Sequence, residues 1–122
     1  MCEWQSLPHA PAPGTPLGAL DEVGDGGREF TFGQGLSAFR LFVVRLAGGQ
    51  VRGYVNRCPH YSLPLNVRPD QFLTRDGTQI MCRQHLALFA LEDGTCISGA
   101  CEGNGLTQVP LAVDAQGLMA IA

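Results

Sequence analysis

The sequence predicts an all-β domain built from short antiparallel strands, and three observations support this fold class. Glycine and proline contribute 16 and 8 of the 122 residues, which favours many turns. β-branched and aromatic residues occur in short runs, several of them with period-two alternation. No stretch shows the sustained period of an amphipathic helix. The length suits one compact domain.

The N-terminal residues predict a tail or extended arm. Residues 1–14 are rich in proline and glycine, so we expect them to form an arm ahead of a domain at 15–122. Leu17, Leu20 and Val23 are then expected to dock as one short turn. A glycine-rich break follows at 24–27.

Most of the remaining sequence predicts strands joined by turns. Phe30 and Phe32 alternate with polar residues, and the run at 40–46 is β-branched and aromatic. Gly48 and Gly49 indicate a hairpin turn at 47–50. The predicted strands cover residues 29–32, 40–46, 51–56, 79–81, 86–91, 107–113 and 118–121, and the last two form a closing hairpin around 114–117.

Two short clusters at the ends of predicted strands carry metal-ligating side chains. Cys58 is followed two residues later by His60, and Cys82 three residues later by His85. This is the ligand set of a [2Fe–2S] centre in which two imidazoles replace two thiolates on one iron. We assign the two thiolates to one iron and the two imidazoles to the other, with one cluster per chain. No residue is predicted to be catalytic in the sense of making or breaking substrate bonds.

This ligand set indicates one-electron transfer. With two neutral imidazoles the oxidised centre carries no net charge, so it accepts an electron more easily than a four-thiolate cluster does. An imidazole N–H that faces solvent can lose its proton, so the potential should fall at high pH. The alternative is a structural Cys₂His₂ zinc site, although the spacing between Cys58 and His60 is tighter than zinc motifs usually have.

The two clusters together resemble the Rieske family, in particular its small soluble ferredoxins. The likeness rests on Cys58-Pro59-His60 and Cys82-Arg83-Gln84-His85, with support from Leu88-Phe89 and Asp93-Gly94-Thr95, and it extends over residues 17–122. The resemblance implies an antiparallel β-sandwich or barrel with a smaller cluster-binding subdomain at about 57–107. It also implies one-electron transport, often to a ring-hydroxylating oxygenase.

Several positions depart from the family's high-potential members. Leu63 and Gln84 stand where those members have two disulfide-bonded cysteines, and Ala87 stands where they have a serine that donates to a cluster sulfide. Both departures indicate a potential toward the lower end of the range of about −150 to +300 mV. The third loop has Cys101 where a proline is expected.

These residues lead to one functional hypothesis and one alternative. We expect a cytoplasmic Rieske-type [2Fe–2S] ferredoxin that passes electrons from a flavin reductase to an oxygenase or similar terminal enzyme. A chain of 122 residues is too short to include the mononuclear-iron domain of an oxygenase, so it should not hydroxylate substrates itself. The alternative is a redox or iron sensor, or an assembly subunit, in which the same cluster controls partner binding.

Composition and charge exclude several other classes. The formal net charge is −3, and the eight cationic side chains are scattered arginines, which disfavours nucleic-acid binding. The longest apolar run, at 86–91, is far shorter than the about 20 residues of a membrane span. No secretory signal is evident. An odd number of cysteines, five, favours reduced metal-binding thiols in a cytoplasmic setting.

Four residues outside the two clusters have alternative interpretations. Cys96 and Cys101 form a regulatory disulfide or supply a thiol near the cluster, or they are two small buried residues; the last interpretation is favoured. His9 lies among prolines and is expected to be solvated. Trp4 is either a docking residue or incidental, and the sequence does not distinguish the two.

Overall fold

A computed structural model of the chain describes residues 4, 7–24, 26–35, 38–46, 48–57, 65–66, 70–82, 87–98 and 105–122. Within these residues the secondary structure consists of ten strands and one short 3-10 helix, Leu20–Glu22. The predicted all-β fold class is therefore confirmed. The strands are β1 Pro16–Ala19, β2 Arg28–Phe32, β3 Phe39–Arg45, β4 Val51–Val55, β5 Gln79–Met81, β6 Leu88–Ala90, β7 Cys96–Ser98, β8 Gln108–Val109, β9 Leu111–Val113 and β10 Leu118–Ile121.

The strands form three antiparallel sheets. The base sheet has the order β1-β10-β9, the central sheet β2-β3-β4-β8, and the third sheet β5-β6-β7. In sequence, β5 of the third sheet lies between the two ligand clusters and leads directly into Cys82. The other two strands of this sheet, β6 and β7, follow the second ligand cluster. We call it the cluster-side sheet.

The central sheet is buried on both faces. In β3, Leu41 and Val43 belong to one hydrophobic core, and Phe42 and Val44 belong to another. Successive side chains of a strand point to opposite faces, so one strand serves both cores. This explains why residues 41–44 of β3 form a continuous apolar run instead of an alternating one.

The first core joins the central sheet to the cluster-side sheet. Phe42 stacks on Phe72 with ring centroids 4.3 Å apart and an interplanar angle of 5°. Tyr54 of β4 packs at 5.7 Å from Phe42, and its hydroxyl donates a hydrogen bond of 2.5 Å to the Leu91 carbonyl. Phe89 of β6 is completely buried in the same core. The cluster-side sheet is thus attached to the central sheet largely through side chains.

The second core joins the central sheet to the base sheet and includes a residue near the N-terminus. Trp4 is 2% exposed and lies 6.0 Å from the Phe39 ring in a tilted arrangement. Trp4 is therefore a core residue of this face. His9 is exposed, as expected, and its ring lies against Gly33.

The prediction of a single docking turn after the arm is wrong over residues 16–19. These residues form β1, which pairs with β10, and the 3-10 helix follows it. The register shifts between Pro16 and Gly18, where Gly18 has φ +94°. Proline and glycine disfavour a regular strand, but pairing with β10 and burial of Leu17 outweigh that local preference.

The described residues contain no helix that is both long enough and apolar enough to cross a membrane.

Candidate metal centre

One of the four predicted ligands lies within the described residues. Cys82 directly follows β5 and is fully buried. Its backbone N–H donates to the carbonyl of Ala87, the residue before β6, at 2.9 Å. Cys58, His60 and His85 lie outside the described residues. For that reason no group of three or more His, Cys, Asp or Glu side chains that could hold a metal ion occurs in the described part.

The surroundings of Cys82 are apolar and dry. Cys82 belongs to the core that includes Leu65, Ile80, Ala87 and Leu106, each of which is less than 10% exposed. A soft thiolate in such a site suits an iron–sulfur centre, because exclusion of water and donor groups near sulfur tune the cluster. The donor chemistry and burial at this position therefore fit the cofactor.

The strand that leads to the first ligand motif ends in a polar network. Asn56 follows β4 and is 5% exposed, the one buried polar side chain in the described part of the chain. Its Nδ2 donates to Glu29 Oε2 at 2.7 Å and to Asn66 Oδ1 at 2.9 Å. Its Oδ1 accepts from the Leu65 N–H at 2.8 Å. Glu29 in turn forms an ion pair with Arg40 of β3.

A tight turn organises the chain ahead of the second motif. Asp76 accepts hydrogen bonds from the hydroxyls of Thr74 and Thr78, at 2.6 and 2.8 Å, and from the Thr78 N–H at 3.2 Å. These bonds, the Thr74 hydroxyl foremost, hold the pKa of the Asp76 carboxyl below its usual range. The turn starts β5, which places Cys82 at its other end.

A second turn lies at the same end of the cluster-side sheet, because Gln79 at the start of β5 pairs with Ala90 at the end of β6. The Thr95 N–H donates to Asp93 Oδ1 at 2.9 Å, and this bond is the main cause that lowers the pKa of Asp93. Burial raises the pKa of Tyr54, whose hydroxyl bonds to the same turn at Leu91. The hydrogen bonds of the first turn therefore fix where β5 begins, and those of the second turn fix where β6 ends and β7 begins.

The positions where the sequence departs from high-potential proteins give a mixed result. Ala87 is 1% exposed, so the position expected for a serine donor carries a buried methyl group. Cys96 is buried in β7, as the favoured interpretation expects, but it is also disulfide-bonded, which that interpretation did not include. Leu63, Gln84 and Cys101 lie outside the described residues.

The match to a protein family decides which kind of domain these features belong to. The Rieske [2Fe-2S] domain family matches residues 15–112. The chain belongs to the Rieske family. This confirms the resemblance inferred from the two Cys/His clusters, and it gives this Rieske domain one [2Fe–2S] cluster as its cofactor.

Solved structures of Rieske ferredoxins share the fold of this Rieske domain. A ferredoxin of Sphingomonas yanoikuyae B1 is 23% identical, with a TM-score of 0.64, over 88% of this chain and 96% of that one. The ferredoxin of carbazole 1,9a-dioxygenase from Nocardioides aromaticivorans IC177 is 21% identical, with a TM-score of 0.63, over 88% and 97%. A putative NADH-dependent nitrite reductase small subunit from Mycobacterium tuberculosis is 19% identical, with a TM-score of 0.59, over 88% and 91%.

A terminal oxygenase shares the fold over a smaller part of its length. The terminal oxygenase of carbazole 1,9a-dioxygenase from Nocardioides aromaticivorans IC177 is 17% identical, with a TM-score of 0.66, over 88% of this chain and 29% of that one. A search among curated proteins finds no match to this sequence.

Sequence analysis did not identify the polar network around Asn56. Glu29 and Arg40 are charged residues in strands, which usually face solvent, and Asn56 precedes a turn, where asparagine is common. The usable signal was the position of Asn56 between a buried strand and the first ligand motif.

Proposed function

We propose that Cys58, His60, Cys82 and His85 hold the [2Fe–2S] cluster of this Rieske domain, which accepts and releases one electron at a time when bound. Two features support the assignment. Cys82 is a buried thiol at the end of β5 in an apolar core, and β4 leads into Cys58 through a buried polar network. The chain's only other histidine, His9, is exposed near the N-terminus, so it is a poor candidate for the site.

We propose that the protein is a one-electron carrier between a reductase, such as a flavoprotein, and an oxygenase-type terminal enzyme. The observation that carries this proposal is the extent of the likeness to ferredoxins. The fold shared with this chain takes up 96–97% of two ferredoxins but 29% of a terminal oxygenase chain. The role is therefore electron transfer, with bond-making steps left to the partner, in a cytoplasmic setting. Because disulfides are rare in reducing compartments, a cytoplasmic setting requires that the disulfide of Cys96 resist reduction there.

A second candidate is an electron-relay subunit of a reductase. It is favoured by the likeness to a putative nitrite reductase small subunit, 91% of which is covered. In both candidates the cluster relays electrons, and they differ in whether the partner is an oxygenase or a reductase. The domain boundaries, an arm at 1–14 and a domain at 15–122 with a cluster-binding subdomain at about 57–107, belong to the same proposal.

The ligand assignment is tested by replacing each histidine with cysteine. His60→Cys and His85→Cys each add a negative thiolate, so the potential should fall toward the value of about −400 mV of four-thiolate plant-type ferredoxins. Redox titration followed by EPR measures the shift. His9→Cys is the matched control and should leave the potential unchanged, because His9 is exposed and far in sequence from both clusters. An intact cluster with an unchanged potential in both test variants would contradict imidazole ligation.

The carrier role is tested in two steps. Protein purified without air should contain iron and acid-labile sulfide in equal amounts and give a rhombic EPR signal on reduction. A colourless protein that binds zinc instead would overturn the proposal. In the second step, catalytic amounts of the protein are added to a flavin reductase and to a purified terminal oxygenase or nitrite reductase. A carrier sustains many cycles of reduction and oxidation, whereas a sensor is reduced once and changes only its affinity for a partner.

A further inference from the structure

The amide of Asn56 connects the two ends of the chain segment that carries the first ligand motif. Asn56 is the residue after β4, and Leu65 and Asn66 are described on the far side of residues 58–64. The Asn56 Oδ1 accepts from the Leu65 N–H at 2.8 Å, and its Nδ2 donates to Asn66 Oδ1 at 2.9 Å. A single side chain therefore links the residues on the two sides of positions 58–64. We call these positions the first ligand loop, and the hydrogen-bonded link between its two ends the neck.

The orientation of that amide is fixed by charged groups on two neighbouring strands. Nδ2 of Asn56 also donates to Glu29 Oε2 at 2.7 Å. Arg40 donates to both carboxylate oxygens of Glu29, from Nε at 2.5 Å and from Nη2 at 3.0 Å. An ionised carboxylate only accepts hydrogen bonds, so the Asn56 nitrogen must face Glu29 and its oxygen must face Leu65. Both Nδ2 protons and the oxygen then have partners.

The chain after the first ligand loop is tied to β2 and to the residues just before it. The Glu29 N–H donates to Asp70 Oδ1 at 2.8 Å, and the Phe72 N–H donates to the Gly26 carbonyl at 2.9 Å. The connection between the two ligand motifs is therefore held by the backbone N–H of Glu29 in β2 and by the backbone of Gly26, just before β2.

Asparagine is the residue type that these contacts require at position 56. An aspartate would lose both donors and would place a second carboxylate beside Glu29 in a buried site, which is unfavourable. An alanine would leave the Leu65 N–H and a Glu29 oxygen without their partner. The backbone of Asn56 is bonded independently, since its N–H donates to the Arg40 carbonyl at 2.8 Å. The side chain therefore serves the loop and not the strand.

Resting on the proposed function, we propose that Asn56 is a positioning residue for the cluster, oriented by the Glu29–Arg40 ion pair. By closing the neck of the first ligand loop, it sets how Cys58 and His60 are presented. Small changes in the placement of ligands and of N–H donors near sulfur alter both retention and potential of an iron–sulfur centre. The network is thus part of the cofactor site, although none of its members is a ligand.

The test uses the holoprotein and three variants of the network. Asn56→Asp and Asn66→Ala should each release iron to a chelator about tenfold faster than the wild type, because each breaks at least one hydrogen bond at the neck. The cluster that remains should show shifted EPR g values and a shifted potential. Glu29→Gln, the third variant, removes the charge that pairs with Arg40 and orients the Asn56 amide, so it should also speed iron release.

Tyr54→Phe is the matched control. It also removes one part-buried hydrogen bond, made by a side chain of β4, but that bond goes to Leu91, away from the first ligand loop. It should lower thermal stability and leave the g values and potential unchanged. If Asn66→Ala and Asn56→Asp keep the cluster as long as the wild type with the same g values, or if Tyr54→Phe changes them equally, the inference is wrong. Should Asn56→Asp fail to fold, Asn66→Ala decides. A wild-type protein without iron and sulfide would instead overturn the proposed function, and this inference with it.

Discussion

The hydroxyl of Tyr54 links β4 to the turn after β6 through its 2.5 Å hydrogen bond to the Leu91 carbonyl, 37 residues away. This contact joins the central sheet to the cluster-side sheet at the end remote from Cys82. Tyr54→Phe keeps the ring in the core and removes the bond, so we expect a loss of about 1 kcal/mol in the free energy of unfolding at neutral pH. Chemical denaturation with an unchanged m-value measures this loss.

The same residue gives the protein a stability limit at alkaline pH. Burial raises the pKa of Tyr54, opposed by the nearby charge of Arg52 and assisted by Asp93 and Glu92. The folded state therefore favours the neutral phenol, whereas the unfolded chain ionises near pH 10. The contribution of Tyr54 is complete below about pH 10 and is lost as pH rises above it. The stability difference between wild type and Tyr54→Phe should shrink over this range, and a constant difference would contradict the assigned burial.

At the level of elements, Gly94 and Gly117 occupy comparable positions in two turns, and their surroundings can be compared directly. Both have positive φ, +75° and +82°, and each lies in the turn between two strands. A Cβ on Gly94 would lie 2.8 Å from the Tyr54 ring and 3.1 Å from Leu106 Cβ, whereas a Cβ on Gly117 would meet nothing within 4 Å. The β6–β7 turn therefore packs against the core at Gly94, whereas the β9–β10 turn has free space around Gly117.

Replacing each glycine with alanine separates backbone strain from packing. Gly117→Ala should cost about 1–2 kcal/mol, the price of an L-residue in the left-handed region. Gly94→Ala should cost about 1–3 kcal/mol more, because the buried Tyr54 ring must also move. The two variants are compared by urea denaturation. Equal losses would show that the β6–β7 turn can shift away from the core, and the packing argument would then fail.

The elements that the sequence predicted well are those whose pattern reflects burial directly. β3 was expected at 40–46 and lies at Phe39–Arg45, because a strand buried on both faces has a continuous apolar run. β1 was missed, because Pro16 and Gly18 hide a strand that exists only through pairing with β10. Local composition cannot reveal a partner that lies about a hundred residues further along the chain.

The candidate site likewise has features that the sequence predicts and features that it does not. The Cys/His spacing identified the Rieske family, because ligand types and their separations are local and chemically specific. The Asn56–Glu29 contact, across 27 residues, could not be predicted, since it depends on the register of β2 on β3 and of β3 on β4. A disulfide at Cys96 was one alternative from the sequence but not the favoured one, because cysteine count alone leaves pairing undetermined.

At the scale of the whole molecule, the three sheets are held together unequally. The base and central sheets share a core that includes Trp4 from the N-terminal end, and residues at both ends of the chain close on each other through the Gly14 N–H and the Ile121 carbonyl at 2.7 Å. In the described part of the chain none of the three sheets shares a strand with another, but only the cluster-side sheet leads directly into a proposed ligand, Cys82. It is attached by side chains such as Phe89 and, through Cys82, by the proposed cluster.

Removal of the cluster should therefore loosen one part of the molecule selectively. Amides of the cluster-side sheet and its flank, such as Met81, which donates to the Phe72 carbonyl, and Ala90, which donates to the Thr95 carbonyl, should lose hydrogen-exchange protection by about tenfold or more. The Ile121 amide, which donates to the Thr15 carbonyl in the base sheet, should change much less. Exchange is measured by NMR on the metal-free protein and, in its oxidised form, on the holoprotein. A uniform loss of protection across all three sheets would show that the domain unfolds as a single unit, and that the unequal attachment of its sheets has no energetic consequence.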